Sequence, residues 1–145
     1  MLEVVVGNIL DVSTGTICHQ VNCQGKMGCG IALSIKQRYP EAYEDYMKAF
    51  RNGSLKLGRV IYTPIKSSPG LVIANLAGQF NYGRDKRYTD YIALLNCLAQ
   101  LRIDIPEGEP VYFPYKMGCS NAGGDWHIVS ALIEVFFPKA KIMRL

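Results

Sequence analysis

Histidine and tryptophan are scarce in this 145-residue chain: His19, His127 and Trp126 are all it has. The five cysteines, Cys18, Cys23, Cys29, Cys97 and Cys119, are odd in number and never spaced C-x-x-C. So small a set of ligands in no metal-binding pattern argues against a zinc site or a disulfide frame, and no metal or other cofactor is implied. Reduced thiols fit a cytoplasmic location. No apolar run approaches the ~18–20 residues of a membrane span, so no membrane partner is expected. Met1-Leu2-Glu3-Val4 leads straight into strand pattern, without the charged and apolar regions of a signal peptide. Repeats, low-complexity tracts and linkers are missing too. What remains is 49% hydrophobic and 19% charged, the composition of one globular domain over residues 1–145, expected to be a monomer. The net charge of +4 gives a mild preference for anionic ligands. The basic residues are scattered along the chain rather than striped, so a nucleic-acid partner is not expected.

What is present alternates. Leu2–Val6 and Thr16–Val21 read as strands, the second with His19 embedded. Gly30–Arg38 reads as a helix stopped by Pro40, which suits the first turn of another; Tyr43, Tyr46, Met47 and Phe50 keep helical spacing up to Gly53. Arg59–Thr63 and Leu71–Leu76 are strands separated by the turn-forming Ser67-Ser68-Pro69-Gly70. Thr89 is the expected N-cap of a helix carrying Tyr91, Leu94, Leu95, Leu98 and Leu101. Val111–Phe113 is a strand, Asp125 a candidate cap for a helix with Trp126, Val129, Leu132, Ile133 and Phe136, and Lys141–Leu145 a closing strand. Such alternation predicts an α/β sandwich around a mixed or mostly parallel sheet.

Two glycine-rich stretches each join a strand to a helix. One is Asn22-Cys23-Gln24-Gly25-Lys26-Met27-Gly28-Cys29-Gly30; the other is Gly118-Cys119-Ser120-Asn121-Ala122-Gly123-Gly124. In open α/β sheets ligands lie beyond the carboxyl ends of strands, and glycines let backbone N–H groups approach an anion closely. Two such loops from neighbouring strands suit the two phosphates of a diphosphate. The common nucleotide motifs fail: a G-x-G-x-x-G beginning at Gly28 meets Leu33, and Lys26 is followed by Met27 rather than the Ser or Thr of a P-loop.

"VVVGNIL", "HQVNCQGKMGCGIAL" and "FPYKMGCSNAGGDW" together resemble the macrodomain family, in the family's order and over nearly the whole chain. The resemblance implies a three-layer α/β/α sandwich with ADP-ribose, or an ADP-ribosylated protein's modification, lying across the strand ends. It implies that Gly28, Cys29, Gly30, Ile31 and Ala32 form the first diphosphate loop, and Gly118, Cys119, Ser120, Asn121, Ala122 and Gly123 the second. Asn22 falls against the distal ribose, with Gln79 near it, and Asn8 with Ile9 where the adenine is read. Asn8 replaces a usual aspartate. Ser120 replaces a usual glycine, and serine tolerates positive φ poorly.

The resemblance leaves open whether such a protein binds, removes ADP-ribose, or dephosphorylates ADP-ribose-1″-phosphate. One hydrolase branch places an aspartate near Ala32. Another uses a lysine after the middle strand, where Asn75–Phe80 has none. "NCQGKMGCGIA" with "NLAGQF" is similar to the phosphatase branch, so phosphate-monoester hydrolysis is the leading expectation. His19 is the candidate for proton transfer, or else a strand histidine bonded to its neighbours. Asp125 is a candidate base or a helix cap, and Asn22 orients ribose and water or stabilises its loop. Lys26 meets a phosphate or solvent, and Cys29 and Cys119 are thiolates or small fillers. Gln79, Asn81 and Tyr82 follow a strand end, and Arg84-Asp85-Lys86-Arg87 either steers a terminal phosphate or is a solvated face.

Overall fold

A computed structural model describes all 145 residues. The elements are β1 (Glu3–Val6), a 3-10 turn (Ile9–Asp11), β2 (Gly15–Val21), α1 (Gly30–Arg38), α2 (Pro40–Arg51), β3 (Val60–Pro64), β4 (Leu71–Ala77), α3 (Tyr91–Asp104), β5 (Val111–Pro114), α4 (Trp126–Phe136) and β6 (Lys141–Arg144). One six-stranded sheet runs β1-β6-β5-β2-β4-β3. Only the β3–β4 pair is antiparallel. The expected mixed, mostly parallel sheet is what the chain forms. No helix is long and apolar enough to cross a membrane.

Side-chain alternation divides the core in two. Cys18 on β2 and Ala74 and Leu76 on β4 pack with Leu94, Leu98 and Leu101 of α3 and Val129 and Ile133 of α4. Ile17 and Val21, with Ile73 and Ala77, pack on the other face with Ile35 of α1 and Ala42 and Tyr46 of α2. Every residue of β2 is buried, as befits a central strand covered on both sides. Its C-terminal end, flanked by those of β4 and β5, is where the two glycine loops emerge.

Two details differ from the sequence reading. The cap of α3 is Asp90, whose carboxylate accepts from the Ala93 N–H at 3.0 Å. Thr89 is buried instead, with its hydroxyl engaged elsewhere. Both residue types cap helices well, and apolar spacing does not fix a boundary to one residue. The second detail concerns His19. Counting by twos from Ile17 and Val21 puts it on the α2 face, fully buried. There its Nε2 meets Oδ1 of its cross-strand partner Asn75, whose amide N–H donates to the Ala42 carbonyl of α2 at 3.3 Å. Its Nδ1 has no partner.

Burial lowers the His19 pKa from 6.5 to about 4, the Asn75 hydrogen bond opposing it. Between those pH values the unfolded chain binds a proton that the native state refuses. Stability from this group is therefore complete above pH 6.5, falls as pH drops towards 4, and levels off below. The loss is on the order of 3 kcal/mol. Urea titrations from pH 7 to pH 4 should show this decline, and His19→Gln should flatten it even at lower overall stability.

Candidate ligand-binding cleft

The first loop is built on Asn22. Its Oδ1 accepts from the Gln24 N–H at 3.0 Å, and its Nδ2 donates to the Lys26 carbonyl at 2.8 Å. Tyr46, fully buried on α2, sets its hydroxyl 2.7 Å from the Asn22 carbonyl and 2.9 Å from Oδ1, and accepts from the Lys26 N–H at 3.1 Å. Gly25 turns at φ +75° against the Phe50 ring, where a Cβ would sit 2.9 Å away. Met27 plugs into the core at 1% exposure. After this anchor, Gly28-Cys29-Gly30 stands free: a Cβ on Gly28 or Gly30 would meet nothing within 4 Å. Cys29 caps α1 without a side-chain hydrogen bond, and no acid occupies the first turn. The N–H groups there are left for a ligand.

The second loop hangs from β5 and is pinned by a buried amide network. Gln20 Nε2 donates to Gln79 Oε1 and to Thr89 Oγ1, both at 2.9 Å. Thr89 donates its own hydroxyl hydrogen bond to the Gly118 carbonyl at 2.6 Å. Gln79 donates to the Asn81 carbonyl at 2.9 Å. The Ala122 carbonyl accepts from the N–H groups of Tyr88 and Thr89. Gly118 lies at φ +72°, and a Cβ there would press within 3.0 Å of the Gln20 and Thr89 side chains. Lys116 is the one non-glycine residue at positive φ, +59°. At the rim the two loops touch, Asn121 Nδ2 lying 3.1 Å from Cys29 Sγ.

Between the loops lies a cleft of about 630 Å³, within the usual range for a small-molecule site. Of the residues expected to contact ligand, the structure brings together Asn22, Gly28, Cys29, Gly30, Ile31, Ala32, Gln79, Gly118, Ser120, Asn121 and Ala122. It does not bring His19, Asn8, Ile9, Cys119, Gly123 or Asp125 to the lining. His19 is in the sheet. Asn8 caps the 3-10 turn, accepting from the Leu10 N–H at 2.9 Å, and Ile9 is core. Asp125 is an exposed helix cap holding the His127 N–H at 2.9 Å. Burial, with the nearby Asp125 charge, pushes the Cys119 thiol up to about 11, so it is no thiolate at neutral pH. Asn22 does line the cleft, but most of its amide is committed to the loop. Ser120 is exposed and not at positive φ, so the anticipated strain does not arise. It falls on Lys116.

Sequence reasoning missed Gln20, Val21 and the run Pro114–Met117, all of which line the cleft. Their signal was positional: each sits at a strand end just before a glycine loop. Three cations, Lys26, Arg84 and Lys116, line it, and no aspartate or glutamate does. No cluster of three His, Cys, Asp or Glu residues is placed to hold a metal. The cleft is thus a concave surface with backbone N–H groups at one helix end, net positive charge, and amide side chains for hydroxyls. That combination suits a polyanion bearing sugars.

Residues 18–133 match the Macro domain family. The DNA ADP-ribosyl glycohydrolase of Mycobacterium tuberculosis is 32% identical over 137 residues, covering 90% of this chain. The chain spans 37% of that relative's length. The ADP-ribose 1″-phosphate phosphatase of Saccharomyces cerevisiae is 33% identical over 97 residues, 62% of this chain and 55% of the relative. Among solved structures, the macrodomain of Mycobacterium tuberculosis DarG superposes at a TM-score of 0.81 with 27% identity, covering 100% of this chain and 98% of that one. Thermosipho africanus DarTG, solved in complex with ADP-ribose, shares the fold at a TM-score of 0.80 and 16% identity, covering 99% of this chain and 42% of that one. The longer match is to glycohydrolases, and the match to the phosphatase covers less of this chain.

The glycine at position 118 is required by both conformation and space. Gly118→Ala should cost about 1–3 kcal/mol of stability by urea denaturation. Ser120→Gly, at an unstrained exposed position, should stay within about 0.5 kcal/mol of the parent.

Proposed function

The chain belongs to the Macro domain family, and on that premise we propose that its cleft takes an ADP-ribosyl group and releases it by hydrolysis at the anomeric carbon of the distal ribose. The observation that carries this reading is the pairing of two glycine loops around a cleft lined by three cations and no carboxylate. A diphosphate offers one negative phosphate to each loop. The name of the mycobacterial relative and the ADP-ribose bound to the Thermosipho protein support the same ligand.

In this reading the protein acts by position and charge. Free N–H groups of Gly28–Ile31 and the second loop hold the diphosphate. The bond from C1″ to the acceptor breaks as water adds its oxygen to C1″ and its proton passes to the departing acceptor group. Positive charge develops on the distal ribose as that bond lengthens, and the pinned diphosphate is the anion nearest to it. No imidazole or carboxylate lines the cleft to take the proton, so Lys26, Lys116 and Asn22 serve to orient the acceptor and water. The phosphatase reading remains the second one, supported by the yeast relative and by Arg84 at the cleft. It no longer has His19 as its acid or base.

Gly28→Ala separates binding from folding, because the added methyl projects into open space at an ordinary φ. Calorimetry with ADP-ribose should show at least a tenfold loss of affinity, about 1.4 kcal/mol, with an unchanged melting temperature. Incubating the protein with ADP-ribosylated oligonucleotide or protein should release free ADP-ribose. Inorganic phosphate from ADP-ribose-1″-phosphate without that release would favour the second reading. Failure of the parent to bind ADP-ribose at all would overturn both.

A further inference from the structure

Composition predicts a monomer, but the outer face of α3 and α4 is not that of a surface left to water. On α3, Ile92, Asn96, Gln100 and Ile103 form one exposed stripe at helical spacing, with Ile92 69% and Ile103 79% exposed. On α4 the stripe is Ile128, Ala131 and Val135, the first 42% and the last 74% exposed. Neither stripe holds an aspartate, glutamate, lysine or arginine. The three charged side chains on these helices lie beside the stripes and are engaged. Asp104 accepts from the Tyr62 hydroxyl at 2.6 Å and from Gln100 Nε2 at 2.8 Å. Arg102 meets Glu107 at 3.5 Å, and Glu134 meets the N-terminal amine at 3.1 Å. Surface helices ordinarily turn charged residues outward. The α2 helix, on the other side of the sheet, follows that rule with exposed Glu44, Lys48 and Arg51.

Charge, pattern and size together say what covers this face. It carries no charge while the whole chain carries +4, so two copies repel through their other surfaces and meet here at least electrostatic cost. Its pattern is symmetric end to end: α3 has isoleucine at both ends with amides between, and α4 has Ile128 and Val135 around Ala131. A two-fold axis lying in the face and crossing the helices therefore sets Ile92 against Ile103 of the second copy and Ile128 against Val135, with Asn96 beside Gln100. Amides carry both donor and acceptor, so they can meet their own kind. The two helices pack side by side, and α3 is 14 residues long. The face is thus roughly 20 Å by 20 Å, at the small end of specific interfaces.

We propose that this face is a self-association surface, on which a second copy of the chain packs α3 on α3 and α4 on α4, antiparallel, in a four-helix contact. An interface so small gives a dissociation constant in the micromolar range. Salt strengthens the pair by screening the net charge of the two copies. None of the stripe residues lines the cleft, so the pairing stands apart from the ADP-ribosyl reading.

Sedimentation velocity of the whole chain over a concentration series tests this. The mass should rise from the 16.1 kDa of one chain towards twice that value, and the transition should move to lower concentration as salt is added. I92E and I103K should each weaken self-association at least about tenfold, with helical circular dichroism unchanged because both sites are exposed. An equimolar mixture of the two variants should recover most of the association, since the introduced charges then face each other with opposite signs. A mixture no better than either variant alone would overturn the antiparallel packing. The proposal as a whole is overturned if salt dissolves the pair or if the variants associate like the parent. It is equally overturned by a parent that keeps the mass of one chain at its highest soluble concentration, which would leave the face to a partner of another sequence.

Discussion

Gln20 leaves the centre of the sheet on the α3 face and sends its amide N–H groups to Gln79 and Thr89 of the loop after β4, and Thr89 in turn donates to the Gly118 carbonyl of the loop after β5. Gln20 Oε1 lies against Gly78 and Gly118, where a methyl on either would approach within 2.9 Å, and it has no other partner. A buried acceptor without a strong donor is costly; here it is tolerated because the same amide fixes two neighbouring segments. Tyr46 does the corresponding work under the first loop from the opposite face of the sheet. One polar anchor thus comes from the central strand and one from α2, and the cleft is the gap between what they hold.

This arrangement divides the glycines into two kinds. Gly25 and Gly118 are confined by side chains around them and have positive φ; they are needed to build the loops. Gly28 has open space where its side chain would be, so folding does not demand its smallness. In the proposed reading, the close approach of a diphosphate to this backbone is what demands it. Lys116 extends the same logic to strain: the lone non-glycine residue in the left-handed region sits on the cleft lining, where held strain is commonly tied to function.

The sheet and both loops were legible because hydrophobic alternation and glycine placement are local signals. Orientation within a strand was not. His19 is three residues from Asn22 and looks equally close to the cleft, yet it shares parity with Ile17 and Val21 and turns beneath α2. Gln20, one residue on, turns the other way and reaches the cleft. Only the packing of helices on each face decides which parity meets the ligand. Asn8 and Asp125 lie off the cleft lining for a related reason: a polar side chain beside a helix start satisfies the backbone there, and both do so here. Lys26 and Arg84 were candidates for a phosphate separately; that they share one lining with Lys116 shows only in the folded chain, because the three are far apart in sequence.

The central claim is that a diphosphate lies between the two glycine loops, and amide-resolved NMR during an ADP-ribose titration tests it most directly. The account predicts that the largest shifts fall on the backbone N–H groups of Gly28, Cys29, Gly30 and Ile31, and of Gly118 to Ala122, with His19 and Asp125 little affected. Shifts confined to other surfaces, or no shifts at saturating ligand, would contradict it.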